Sequence, residues 1–258
     1  MTALIHDHTR AGSRAKPLFR GAAVLRAVAR MHLGQARLGG LPVRCQPAAR
    51  AELLGRACRD VLEAHGFSLI VSGPPASGPV LYVANHQSYF DPVAILAARP
   101  ANPIAKAEVA AWPGLGSAMR IGGTMFVDRS DRRSGARVLR EAANALALGA
   151  SVLAFPEGTT TDGTRLLPFQ PGIFGLAKRS KVPIVPVAVR YSSPEVAWVG
   201  EEYFLPHYLR LSAREETGVH IHFGAAIPAA EADSADVLAR RAQQVVRGIL
   251  SLAPGAQE

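Results

Sequence analysis

Apolar residues along the chain follow two rhythms, and their alternation sets out the fold before any single residue is considered. Residues 19–39, FRGAAVLRAVARMHLGQARLG, bring Val24, Val28 and Met31 back at helical spacing while Arg20, Arg26, Arg30 and Arg37 stay largely off that stripe. This predicts a helix that is cationic on one side and moderately apolar on the other. Residues 51–64 read as a second helix. The run FSLIVS at 67–72 reads as a strand, the turn-rich GPPASG follows, and 80–84 form a buried strand. Asp91-Pro92 then marks a helix start, an acidic N-cap followed by proline at the first helical position, so a helix over 93–98 is expected.

Short strands follow at 104–107 and 124–128. Residues 132–148 form an amphipathic helix with Val138, Leu139, Ala142, Ala143 and Leu146 on one side and Gly149 as its cap. An apolar run at 151–155 stops at Pro156, strands are expected at 182–189 and 219–223, and a helix at 235–252 precedes a loose PGAQE tail. Strands alternating with helices argue for a single α/β domain, a sheet flanked by helices.

At 258 residues the chain buries a substantial core without staples. Cys45 and Cys58 are its only cysteines, too few for a disulfide framework or a zinc site of their own, and neither metal nor cofactor is expected. No apolar stretch reaches the ~18 residues that suggest a spanning helix. The net charge of +9 changes the picture once it is divided along the chain. Residues 1–50 hold nine Lys/Arg against the single acid Asp7, a balance of +8, while the remainder holds twenty against nineteen. A basic amphipathic N-terminal arm over 1–50 and a nearly neutral domain over 51–258 are therefore expected. The arm suits an anionic surface, either lipid headgroups or nucleic acid. Single-strand binders interleave rings with their basic residues, and Phe19 is the arm's only such ring, which argues against nucleic acid. An ordinary surface helix and an organellar transit peptide are the competing readings.

Four punctuated stretches stand at or beside strand ends, where sheet enzymes assemble sites from polar residues: NHQSYFD (85–91), GTMFVDR (123–129), FPEGTTTDG (155–163) and VPIVPV (182–187). His86 is the side chain among them whose ordinary pKa lies near neutrality, which makes it the natural proton acceptor. Asp91, five residues on, can turn back to hold its second ring nitrogen. The plainer alternative is that Asp91 only caps a helix and His86 is a half-buried histidine. No G-x-S-x-G elbow, phosphate-binding G-x4-G-K-[ST] loop or H-E-x-x-H is present, so the attacking hydroxyl is expected to belong to a substrate. Gly158 permits close backbone approach after Glu157, and the loop can orient a polar head or be a simple turn. Arg129 and Lys106 can pair with phosphate or carboxylate, or be merely solvated.

The four stretches, in this order, resemble the NHxxxxD, GxxFxxR, xPEGT and VPxxPV blocks of the glycerolipid acyltransferase family, over a motif-bearing core of about 80–190. That resemblance implies an O-acyltransferase in membrane lipid biosynthesis. His86 would be the general base on the free hydroxyl of a lysolipid, oriented by Asp91. The hydroxyl would attack the thioester of acyl-CoA or acyl carrier protein, a co-substrate rather than a cofactor. The resemblance further implies that Arg129, Glu157, Gly158 and Thr159 bind the acceptor's head, with Lys106 assisting. Members that use lysophosphatidate often continue the Glu-Gly-Thr with arginine and serine, whereas Thr160 and Thr161 stand here. That departure, and a faint similarity of 196–211 to lyso-ornithine lipid acyltransferases, make lyso-ornithine lipid the alternative acceptor. A catalytically idle lipid-binding protein of the same fold is the other alternative. A peripheral position on the cytoplasmic face of the membrane is expected.

Overall fold

A computed structural model describes residues 16–42, 45–200, 202–230 and 233–252. The first fifteen residues of the basic arm, Arg44 and the PGAQE tail lie outside the described residues. The described chain runs α1 (Lys16–Gly39), α2 (Gln46–Ala64), β1 (Phe67–Ser72), β2 (Leu81–Ala84), α3 (Phe90–Ala98) and β3 (Asn102–Lys106). It continues through α4 (Leu115–Ile121), β4 (Met125–Val127), α5 (Arg132–Ala147), β5 (Val152–Ala154), α6 (Phe174–Ser180), β6 (Ile184–Tyr191), α7 (Phe204–Ala213), β7 (Thr217–Phe223) and α8 (Ala235–Leu252). The helices α4, α6 and α7 were not anticipated. All three are short, and two are introduced by a turn or 3-10 segment that carries no strong periodicity.

The strands form one seven-stranded sheet in the order β1-β7-β6-β2-β5-β3-β4. Every neighbouring pair is parallel except β6 and β7. Parallel strands covered on both faces read as continuous apolar runs, and all four residues of β2 are buried. Leu81 and Val83 pack towards α5, α6 and α8, while Tyr82 and Ala84 pack towards α2 and α3. Because β7 reverses direction, the long connection from Tyr191 to Thr217 starts and finishes at one end of the sheet. That end is where the parallel strands terminate and where NHQSYFD, Arg129 and FPEGTTTDG sit, whereas VPIVPV opens β6 at the other end.

Two expectations need correction. The helix α3 begins at Phe90, so Asp91 lies inside its first turn and is not the N-cap. The turn before it closes one residue early because the Asp91 amide donates to the Ser88 carbonyl. The α1 helix has two apolar faces rather than one. Its buried ridge is Arg20, Ala23, Ala27, Met31 and Leu38, with the two alanines letting α1 approach the body closely, whereas Val24 and Val28 are only half-buried. The boundary expected at residue 50 falls within α2, and α1 packs on α2, α4 and α7.

Arg20 belongs to that buried ridge and is 5 % exposed. Its guanidinium donates to the carbonyls of Ala64 (3.2 Å), Ser212 (3.0 Å), Arg214 (2.8 Å) and Glu215 (3.3 Å). These are orphan carbonyls at the C-terminal ends of α2 and α7, which a cation satisfies and whose dipoles it complements. Beside it, His65 caps α2. Its Nδ1 donates to the Val61 carbonyl at 2.7 Å, and its Nε2 lies 2.9 Å from the Tyr208 hydroxyl.

Burial, together with the nearby Arg20 charge, lowers the His65 pKa from 6.5 to about 4. The unfolded chain therefore takes up a proton more readily across that window, and stability falls as pH drops from 6.5 towards 4. The loss is expected to be on the order of 3 kcal/mol. Denaturation midpoints measured across this range should show it, and a His65→Gln variant should show a flatter dependence.

Candidate active site

The site begins with one buried carboxylate. Asp91 is 0 % exposed, and four donors converge on it. Oδ2 accepts from His86 Nδ1 (2.7 Å), the Gln87 amide (2.5 Å) and the Ser88 amide (2.9 Å), and Oδ1 accepts from the Tyr191 hydroxyl (2.7 Å). A carboxylate only accepts, so the His86 proton sits on Nδ1 and the neutral ring presents a bare Nε2. Among the described residues Nε2 has no hydrogen-bond partner, and the side chain is 21 % exposed. Phe155 stacks on the imidazole at 4.1 Å between centroids with 23° between the planes, which fixes the ring. Burial and the Asp91 charge push the Tyr191 phenol well above its ordinary pKa, so it stays a donor.

The backbone of His86 is held from both sides by the 157–163 loop. Its amide donates to Glu157 Oε1 at 2.7 Å, and its carbonyl accepts from the Thr161 amide at 2.8 Å. The second Glu157 oxygen accepts from the Leu167 amide at 2.8 Å. Glu157 is 6 % exposed, and burial raises its pKa against the opposing pull of those two amides. Each oxygen thus engages a backbone donor, and Glu157 ties the His86 peptide to the Leu167 peptide. Gly158 adopts a φ of +80°, and the Arg129 guanidinium lies 3.7 Å from where a β-carbon on it would stand. Arg129 and Gly158 are thus brought together, with Thr159 exposed beside them. Lys106 ends β3, pairs with Glu108 at 2.9 Å, and is more than half exposed. It shares the sheet end with Arg129 and makes no contact with His86.

The connection after β6 closes the rim. The Trp198 amide donates to the Gln87 carbonyl at 2.8 Å, and the Thr160 hydroxyl donates to the Trp198 carbonyl. Tyr89 hydrogen-bonds His207 at 2.9 Å, and His207 Nε2 reaches the Ala197 carbonyl at 3.1 Å. Tyr191 and Trp198 were not singled out from the sequence, and Phe155 and Thr161 were noted there without these contacts. Of the two, Tyr191 carried a signal, a polar residue at the end of the strand that VPIVPV opens.

The comparisons with known proteins follow the same residues. Residues 68–190 match the acyltransferase family model. Over 76 % of this chain and 80 % of the relative, the sequence is 32 % identical to a lyso-ornithine lipid O-acyltransferase of Brucella abortus. This chain belongs to the acyltransferase family. It is also 37 % identical to a lyso-ornithine lipid O-acyltransferase of Pseudomonas aeruginosa, over 70 % of this chain and 71 % of that protein. A 1-acyl-sn-glycerol-3-phosphate acyltransferase of Neisseria meningitidis is 31 % identical, over 83 % and 86 %. The fold is shared with the crystal structure of PlsC, the 1-acyl-sn-glycerophosphate acyltransferase of Thermotoga maritima. There the TM-score is 0.63 and the identity 20 %, covering 93 % of this chain and all of that one.

In this acyltransferase the Glu157→Gln substitution places an amide N–H2 against a backbone N–H. Stability should fall by roughly 1–3 kcal/mol, with kcat reduced and KM little changed. A rise in KM at unaltered stability would instead assign Glu157 to substrate contact.

Proposed function

We propose that the protein transfers a fatty acyl group from acyl-CoA or acyl carrier protein to the free hydroxyl of a lysolipid. The observation that carries this reading is the bare, part-exposed Nε2 of His86, backed by a buried carboxylate and by no protein nucleophile hydrogen-bonded to it among the described residues. Nε2 takes the acceptor's hydroxyl proton while its oxygen attacks the thioester carbonyl, and Asp91 stabilises the imidazolium. The carbon–sulfur bond then breaks, and the thiolate leaves with the proton returned from Nε2. Arg129, the Gly158 backbone and the Thr159 hydroxyl suit an anionic head, with Lys106 at the same sheet end.

A second reading concerns which acceptor. Thr160 stands where arginine often serves lysophosphatidate users, and its hydroxyl is committed to Trp198. That feature, with the named relatives, supports lyso-ornithine lipid, whose carboxylate Arg129 alone can neutralise.

The acceptor lives in a bilayer, and no helix among the described residues is long and apolar enough to cross one. The outward face of α1 supports attachment to an anionic membrane surface instead. Leu18, Leu25 and Leu33 are 79, 70 and 77 % exposed, with Arg26, Arg30 and Arg37 beside them. Tyr203, Leu205 and Leu209 on and before α7, which touches α1, are exposed as well.

Release of free thiol from palmitoyl-CoA should occur with one acceptor among lysophosphatidate, lysophosphatidylcholine and lyso-ornithine lipid. In His86→Ala it should drop by about 10²–10⁴-fold. Silence of the native protein with both thioester carriers would favour the idle-fold alternative. Flotation with anionic liposomes should be lost in Leu25→Glu/Leu33→Glu while detergent-dispersed lysolipid is still acylated. Unchanged, salt-insensitive flotation would remove α1 from the membrane contact.

A further inference from the structure

Between α1 and α2 runs a groove of about 490 Å³ lined by Met31, Leu33, Leu53 and Ala57 and rimmed by arginines 30, 37, 56 and 59. None of these residues takes part in the site around His86. Two of the arginines are already engaged. Arg30 pairs with Asp60 at 2.5 Å, and Arg59 donates to the Ala97 carbonyl at 2.8 Å. Arg37 and Arg56 are exposed, and neither has a hydrogen-bond or ion-pair partner among the described residues. Asp60, the acid in the lining, is spent on Arg30, so the free charge in the groove is positive.

The position of the groove around α1 narrows what would fill it. With 3.6 residues per turn, Leu18, Leu25 and Leu33 fall within an arc of roughly 80° on the outward face. Arg30 and Arg37 lie about a quarter-turn away, between that arc and α2. If the leucine row enters the apolar layer of a bilayer, these arginines stand level with the headgroups. We infer that this groove binds the phosphate-bearing headgroup of an anionic phospholipid, as an anchoring site separate from the one that holds the acceptor. The inference rests on the membrane reading of α1.

Guanidinium forks match a phosphate diester bidentately, where an ammonium acts only as a point charge. The floor of Met31, Leu53 and Ala57 offers apolar surface to the glycerol and first methylenes of a lipid. A free phosphate ion would leave that surface and the leucine row unused, so the groove is assigned to a lipid.

The test is co-sedimentation with phosphatidylcholine vesicles, with and without phosphatidylglycerol, at physiological ionic strength. Arg37→Lys/Arg56→Lys keeps the charge and removes the forks, and it should bind phosphatidylglycerol vesicles about tenfold more weakly than the native protein. A charge-matched control, Arg132→Lys/Arg133→Lys on α5, should bind normally, and all three proteins should acylate detergent-dispersed lysolipid at the same rate. Equal binding by the groove variant would overturn the site and leave diffuse attraction in its place. If the native protein sedimented with neither vesicle, the membrane reading would fall and the groove with it. A variant that bound vesicles normally but lost turnover with an acyl carrier protein donor would make the groove a dock for that carrier, also overturning the lipid assignment. Failure of the acyl-transfer reading registers separately, as absence of thiol release by the native protein.

Discussion

The arrangement around His86 depends on the burial of a single negative charge. Moving a carboxylate out of water costs several kcal/mol even after relaxation, and Asp91 has no exposed surface to offset it. What offsets it is a set of donors drawn from three places: the two amides of the preceding turn, the imidazole, and a phenol from the far end of β6. The same donors set the geometry. The turn over residues 85–89 has to wrap tightly to aim its amides, and that wrapping fixes where the His86 ring emerges and which nitrogen it presents.

The 157–163 loop extends this constraint rather than adding a separate one. Glu157 and Thr161 grip the His86 peptide from either side, and the Phe155 ring lies against the imidazole. A histidine on a loop would ordinarily sample several positions. Here its backbone is bound like that of a strand, and only the side chain faces open space. Arg129 approaches the glycine of the same loop, so the candidate anion site is built on the element that holds the candidate base.

Much of this was legible in the residues. The period-2 and continuous apolar runs located all seven strands, with boundaries shifted by no more than two residues, because strands buried on both faces leave a strong compositional mark. The pairing of His86 with Asp91 could be read from their five-residue spacing at a strand end. The inward aim of Glu157 could not, because the residues it serves, His86 and Leu167, are joined to it only by the fold. The two faces of α1 were also hidden. The expected stripe of Val24, Val28 and Met31 shares only Met31 with the buried ridge, because alanines at 23 and 27 mark a packing face less strongly than valines beside them. Arg20 is a further departure, a cation taken inside because two helices end on its carbonyl partners.

The reversed strand β7 has a consequence for how such a protein can diversify. Both ends of the segment between Tyr191 and Thr217 are pinned at the mouth of the site, and no strand of the ladder lies within it. Residues there can be lengthened, shortened or exchanged while the register of β2, β5 and β6 stays as it is. Through Trp198 on the Gln87 carbonyl and His207 on Tyr89, such a change reshapes the rim beside His86 without reopening the core.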